Sequence, residues 1–274
     1  MLPPRDRSVS GDAAPVQRSA GSRSLRSMHQ FHGPYGRYGD TVTQSFEFTA
    51  DAKRVRHFLY EYFLEQCRAP TLLTIMEELG LNQDQAWEAL HQLERANFVV
   101  FVPGTEDILK VPPFSTAPTR HTVIAEDGRS WYAGCAGEAC SLNGMLPGAT
   151  VTVKAMCPEC WGTLAFTVRD RDYVSLDLPD AVIHIGTHPA EFPKDWIVTC
   201  DSINFFCSPE HVAIWEAAVP ERKGVMFPID KGLQWSSFSA QVRYWDYDRP
   251  SNTMRSEPMI TGLENLGADV SAWE

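Results

Sequence analysis

Trp131-Tyr132-Ala133-Gly134-Cys135-Ala136-Gly137-Glu138 places a thiol three residues ahead of a carboxylate. If the piece from Cys135 onward is helical, that spacing puts both groups on one face. Cys140 follows five residues after Cys135, and Cys157-Pro158-Glu159-Cys160 forms a CxxC knuckle. Further on, Cys200-Asp201-Ser202-Ile203-Asn204-Phe205-Phe206-Cys207 begins and ends on a thiol. Six of the seven cysteines therefore fall between 135 and 207, which points to chemistry or metal binding rather than scatter.

The composition narrows the setting. The chain has 274 residues, with 24 Lys+Arg against 35 Asp+Glu and a formal charge of −11. That length suits two modest domains better than one. An acidic chain repels phosphate backbones, so nucleic acid is not an expected partner. No apolar run reaches the roughly 18 residues of a membrane-spanning helix, so no membrane association is expected. An odd cysteine count in a long chain, with no apolar leader behind Met1, argues against a secreted disulfide framework. Reduced thiols in the cytoplasm are the expectation.

The N-terminal half divides into a tail and a helical module. Residues 1–45 are rich in Ser, Arg, Gly and Pro without an apolar period, and read as a disordered tail. The five arginines up to Arg26 also fit a transit peptide, a reading weakened by Asp6 and Asp12. Over 53–67, Val55, Phe58, Leu59, Tyr62 and Phe63 repeat as on an amphipathic helix. Thr71 caps a second helix carrying Leu72, Ile75, Met76 and Leu79, which Gly80 ends; Asn82 opens a third with Ala86, Leu90 and Leu93. Phe98 to Val102 and Ile108 to Val111 then read as a hairpin around Pro103-Gly104. Three helices and a hairpin make a winged-helix pattern over residues 46–118. Residues 53–110 hold six Lys/Arg against nine Asp/Glu, a net of −3. The third helix exposes Gln83, Asp84, Gln85, Glu88 and Glu94 with only Arg95 basic, so a packing module is expected rather than a DNA reader.

From Thr122 the texture turns to short β-like runs: Thr150–Ala155, Thr163–Val168, Val174–Leu178 and Ile197–Phe206. A helix is expected at Pro209–Ala218, with Ser208 as cap. Trp235–Trp245 either closes the sheet or packs as a final helix. The expected class is thus α+β, a winged-helix-like domain followed by a small mixed-sheet domain over 119–250 and a tail over 251–274.

The thiols admit several readings. Cys67 and Cys207 read as small buried hydrophobes. Cys135, Cys140, Cys157 and Cys160 approach the ligand spacing of a zinc ribbon, which makes a zinc- or copper-binding module without lyase activity the alternative function. A CxxC redox pair lacks its βαβ context, and a winged-helix metal-responsive regulator is disfavoured by the acidic third helix. His184 and His188, around Gly186, read as loop residues rather than ligands.

Taken in order, Trp131 to Glu138, the strand Thr150–Ala155 leading into Cys157, and Cys200…Asn204-Phe205-Phe206…Trp215 resemble the alkylmercury (organomercurial) lyases. Pro112-Pro113-Phe114-Ser115…Pro118-Thr119 resembles that family's junction between a winged helix and the catalytic domain. The resemblance covers about residues 55–235. It implies protonolysis of a carbon–mercury bond in a small organomercurial, giving a hydrocarbon and bound Hg(II). It needs no cofactor beyond this, with a structural zinc as the one further metal expectation. Low-molecular-weight thiols or a mercuric reductase would accept the product. It assigns Cys135 and Cys200 as the mercury ligands, Cys157 as a structural cysteine, and Glu138 as the position of the family's proton-delivering aspartate. Soft thiolates suit a soft cation, and the leaving carbon needs a general acid. The chain departs from the pattern in two ways: Glu138 is one methylene longer than aspartate, and Cys140 and Cys160 are additional thiols.

Overall fold

Thr49, Thr71 and Asn82 each accept a backbone N–H from the first turn of the helix that follows. Asn82 forms a full capping box with Gln85. Such caps contribute about 0.5–2 kcal/mol each, which explains why these helices begin where they do. The computed structural model describes residues 47–170, 172–192, 194–243 and 256–274. The tail expected over 1–45 lies outside the described residues.

Helices α1 (Ala50–Gln66), α2 (Leu72–Leu79) and α3 (Gln83–Arg95) are followed by strands β1 (Val100–Phe101) and β2 (Ile108–Val111). Tyr60 rather than the expected Tyr62 faces the core from α1, and its hydroxyl donates to Pro112 O at 2.9 Å. Strand β3 (Phe114–Ser115) pairs with both β2 and β5 (Ser130–Ala133), which carries the hairpin into the main sheet. With β4 (His121–Ala125), β6 (Thr150–Met156), β7 (Thr163–Arg169) and β8 (Asp172–Leu176), the order is β1-β2-β3-β5-β4-β6-β7-β8, antiparallel throughout. Burial alternates along β6 and β7, as period two requires of a sheet with one face on the core.

The helical module is joined to this sheet by more than covalent continuity. Phe63 stacks on Phe114 with centroids 4.9 Å apart, and Trp131 Nε1 donates to Phe63 O at 2.7 Å. Burying such aromatic side chains is worth about 1.5–3 kcal/mol each, so this contact holds α1 against β3 and β5.

A second sheet, β10-β9-β11, is formed by β9 (Val182–Ile185), β10 (Ile203–Phe206) and β11 (Val225–Pro228). All of β9 and β10 is buried. Around the sheets lie α4 (Ala136–Leu142), α5 (Trp196–Asp201), α6 (Pro209–Ala218) and α7 (Ile229–Arg243). The run Ile197–Phe206 corrects the sequence expectation: its first part is α5, not strand. Asp195 accepts from the N–H groups of Ile197 and Val198, and that cap overrides the β-branched Ile197-Val198-Thr199. The aromatic stretch from Trp235 begins inside α7, so the helical alternative holds to Arg243. The segment expected as a C-terminal tail includes α8 (Ser256–Asn265), whose Leu263 is buried. No described helix is long and apolar enough to cross a membrane.

Candidate active site

Cys135 sits at the end of β5, where extended backbone (φ −157°, ψ 177°) turns into α4, so its thiol caps the helix. Glu138 N–H donates to Cys135 Sγ at 3.4 Å. Glu138, in the first turn of α4, folds its carboxylate back over Gly134. A Cβ at Gly134 would run into Glu138 Oε2 and lie 3.4 Å from Cys200 Sγ. Only glycine leaves that room. On the other side of α4, a Cβ at Gly137 would meet the Trp235 ring at 2.9 Å, so α7 closes directly against the helix.

Cys200 arrives from α5, 62 positions beyond Glu138, and its thiol donates to Glu138 Oε2 at 3.7 Å. Cys135 Sγ, a Glu138 carboxylate oxygen and Cys200 Sγ all lie within 4.8 Å of one another, and all three residues are buried. The three residues singled out from the sequence are thus brought together. Burial pushes the Cys135 thiol well above its ordinary pKa, and the adjoining Cys200 thiol and Glu138 carboxylate push it the same way. Without help, Cys135 is therefore a thiol at neutral pH, not a thiolate.

Lys110 supplies a cation that the sequence reading missed. It lies on β2, is buried, and hydrogen-bonds Cys200 through its side chain. Burial works to lower its pKa, but the charges of Cys200, Glu138 and Cys135 outweigh burial and raise it. The charged form of this lysine is thus favoured by the three groups around it that can carry negative charge. The only sequence signal was a lysine inside the otherwise apolar Ile108-Leu109-Lys110-Val111. His121, on β4, is buried as well. Burial first, then the positive Arg120 and Lys110, push it down to about 3, so its ring stays neutral.

The other candidates separate from this centre. Cys140 is buried on α4, and burial drives its thiol far up, as for an inert core residue. The four-cysteine zinc set expected as the alternative is not assembled. Cys135 joins Glu138 and Cys200, whereas Cys157 and Cys160 join Cys207 and His211. Cys207, expected as a buried hydrophobe, is half-exposed and stands 3.8 Å from Cys160, sulfur to sulfur. His184, expected in a loop, lies on β9 with Nε2 2.8 Å from Glu216 Oε1, and His188 caps a short 3-10 turn.

A buried pair of thiols with a carboxylate between them, on an α+β frame, is a donor set whose chemistry suits a soft metal. Residues 114–240 match the family model of the alkylmercury lyases (MerB). A solved structure described as the mercury-bound form of MerB2 shares the fold, with a TM-score of 0.59 over 71% of this chain and 92% of that chain at 19% identity. No curated protein sequence matches the chain.

Proposed function

We propose that this domain cleaves carbon–mercury bonds by protonolysis, with Cys135 and Cys200 as mercury ligands and Glu138 as proton carrier. The observation that carries this reading is the convergence of two thiols and a carboxylate within 4.8 Å in a buried site.

Protons and electrons balance without any co-reactant. An organomercurial R–Hg–X exchanges X for the first cysteine sulfur, and HX leaves. The second thiol passes its proton to Glu138 as its sulfur binds mercury. Added thiolate density weakens the Hg–C bond, whose electron pair takes the Glu138 proton. RH departs, Hg(II) stays on two thiolates, and Glu138 is a carboxylate again. The 3.7 Å contact from Cys200 to Glu138 is the path for that proton. A carboxylate is the right relay: it accepts from an activated thiol and, once protonated, is a general acid. Bound Hg(II) then leaves by exchange onto low-molecular-weight thiols or a mercuric reductase. The test is headspace gas chromatography of the purified protein with methylmercury and excess thiol. Methane release well above the thiol-only background supports the proposal, and none would refute it.

We read α1–α3 with β1 and β2 as a winged helix that serves as a packing module. Its contribution to chemistry is Lys110, whose side chain hydrogen-bonds Cys200 and brings an ammonium beside Cys200, Glu138 and Cys135. Removing that cation in Lys110→Met leaves the site's negative charge uncompensated, so the rising limb of kcat/KM against pH is expected to move to higher pH. A displacement of about one pH unit corresponds to roughly a tenfold loss on that limb. A uniform loss at all pH values would instead mark Lys110 as merely structural.

A further inference from the structure

Cys157, Cys160, Cys207 and His211 each offer one ligand atom, and these atoms all lie within 4.8 Å of one another. They come from three places. Cys157 and Cys160 belong to the loop between β6 and β7, Cys207 follows β10 directly, and His211 lies in the first turn of α6. Cys160 Sγ stands 3.8 Å from Cys207 Sγ, and Cys157 Sγ stands 3.7 Å from His211 Nδ1. A tetrahedral zinc site with Zn–S of about 2.3 Å and Zn–N of about 2.0–2.1 Å has sulfur–sulfur edges of about 3.8 Å and sulfur–nitrogen edges of about 3.6 Å. Two opposite edges of such a tetrahedron are therefore already at ligand length.

The loop is shaped around these sulfurs. Cys157 N–H donates to Gly162 O at 2.9 Å, and Trp161 N–H donates to Cys157 O at 3.1 Å. Trp161 holds φ at 59°, which turns the chain so that Gly162 N–H donates to Cys160 Sγ at 3.4 Å. Backbone donors to a sulfur favour its thiolate form, as around metal-bound cysteines. A Cβ on Gly162 would stand only 3.1 Å from Cys160 Sγ.

Apolar packing does not account for the cluster. Among the described residues its local core has just four buried members, Cys157, Val182, Phe206 and Val212. Cys160 is exposed and the adjoining Trp161 is 66% exposed. A disulfide would use two of the three sulfurs and leave His211 unexplained. We propose that Cys157, Cys160, Cys207 and His211 bind one zinc(II) in a closed, structural site of three sulfurs and one nitrogen. Mixed thiolate and imidazole ligands in tetrahedral array suit zinc, and four protein ligands leave no position for water. The ion clamps the β6–β7 loop to β10 and α6. Because α5 runs into β10 at Asp201–Ile203, the clamp also steadies the segment that carries Cys200.

The test is elemental mass spectrometry on the full chain, purified under reductant without added metal or mercurial. About one zinc per chain is expected, falling to background in Cys160→Ser and His211→Ala and unchanged in Cys135→Ser and Cys200→Ser. Cobalt exchanged into the wild-type protein should give the intense visible bands of a tetrahedral centre and a sulfur-to-cobalt charge-transfer band. These two wild-type readouts stand even where a variant fails to fold. A wild-type chain that carries no zinc and takes up none on reconstitution overturns the proposal, as does zinc that is lost with Cys135 or Cys200. The reading involves no organomercurial, so it fails or stands separately from the lyase assignment.

Discussion

Cys200→Ser is expected to reduce hydrocarbon release from methylmercury to background while leaving the fold intact. A serine hydroxyl is a hard, weakly acidic oxygen, so it neither binds mercury as a thiolate does nor hands a proton to Glu138 at neutral pH. Cys135 can still exchange onto the organomercurial, but with one sulfur the Hg–C bond is not weakened further. The product expected is an adduct with its organic group intact, one per chain, visible by intact mass spectrometry. The substitution is small and its hydroxyl can still donate to the Glu138 carboxylate. The stability loss should therefore stay near the 0.5–3 kcal/mol typical of single substitutions. Turnover comparable with wild type would show that Cys200 is not a ligand in the reaction.

Glu138→Gln isolates the proton. Glutamine keeps the length and most of the hydrogen bonding of glutamate but cannot take a proton from Cys200 and pass it on. Proton transfer by a positioned group is typically worth a factor of about a hundred to ten thousand, so cleavage should fall by that much while mercurial binding persists. Both thiols should then be engaged by an organomercury species that does not release hydrocarbon. The change also removes a negative neighbour of Lys110, so a modest destabilisation is expected, read as a lower Tm. Methane release at the wild-type rate would assign the acid to another group. The extra methylene that distinguishes Glu138 from aspartate has a local accommodation here. The carboxylate lies over Gly134, where any side chain would collide with it.

How much of this was legible in the sequence depends on how local the signals are. Thr71, Gly80, Asn82 and Ser208 act within one turn of their helices, and each does what its residue type suggests. Helix α5 was not legible because its β-branched run favours a strand, and only the Asp195 cap and the burial of Trp196 and Cys200 decide for helix. The grouping of Cys135, Glu138 and Cys200 was available through ordered resemblance, not through periodicity, since no local rule joins positions 62 apart. The same limit hid the second cluster. Cys157 and Cys160 were visible as a knuckle, but Cys207 lies 47 positions beyond Cys160 and His211 lies 54 beyond Cys157. Lys110 was the hardest to see. A single lysine in a short strand is ordinarily exposed, and what buries it is the pairing of β2 with β3 and of β3 with β5.

Protonolysis, the central claim, is most directly tested by a single turnover of methylmercury on the wild-type protein in heavy water, with the headspace analysed by mass spectrometry. The account predicts one monodeuterated methane for each Hg(II) retained on the protein. Methylmercury held on the thiols with its methyl group intact and no methane released would contradict it.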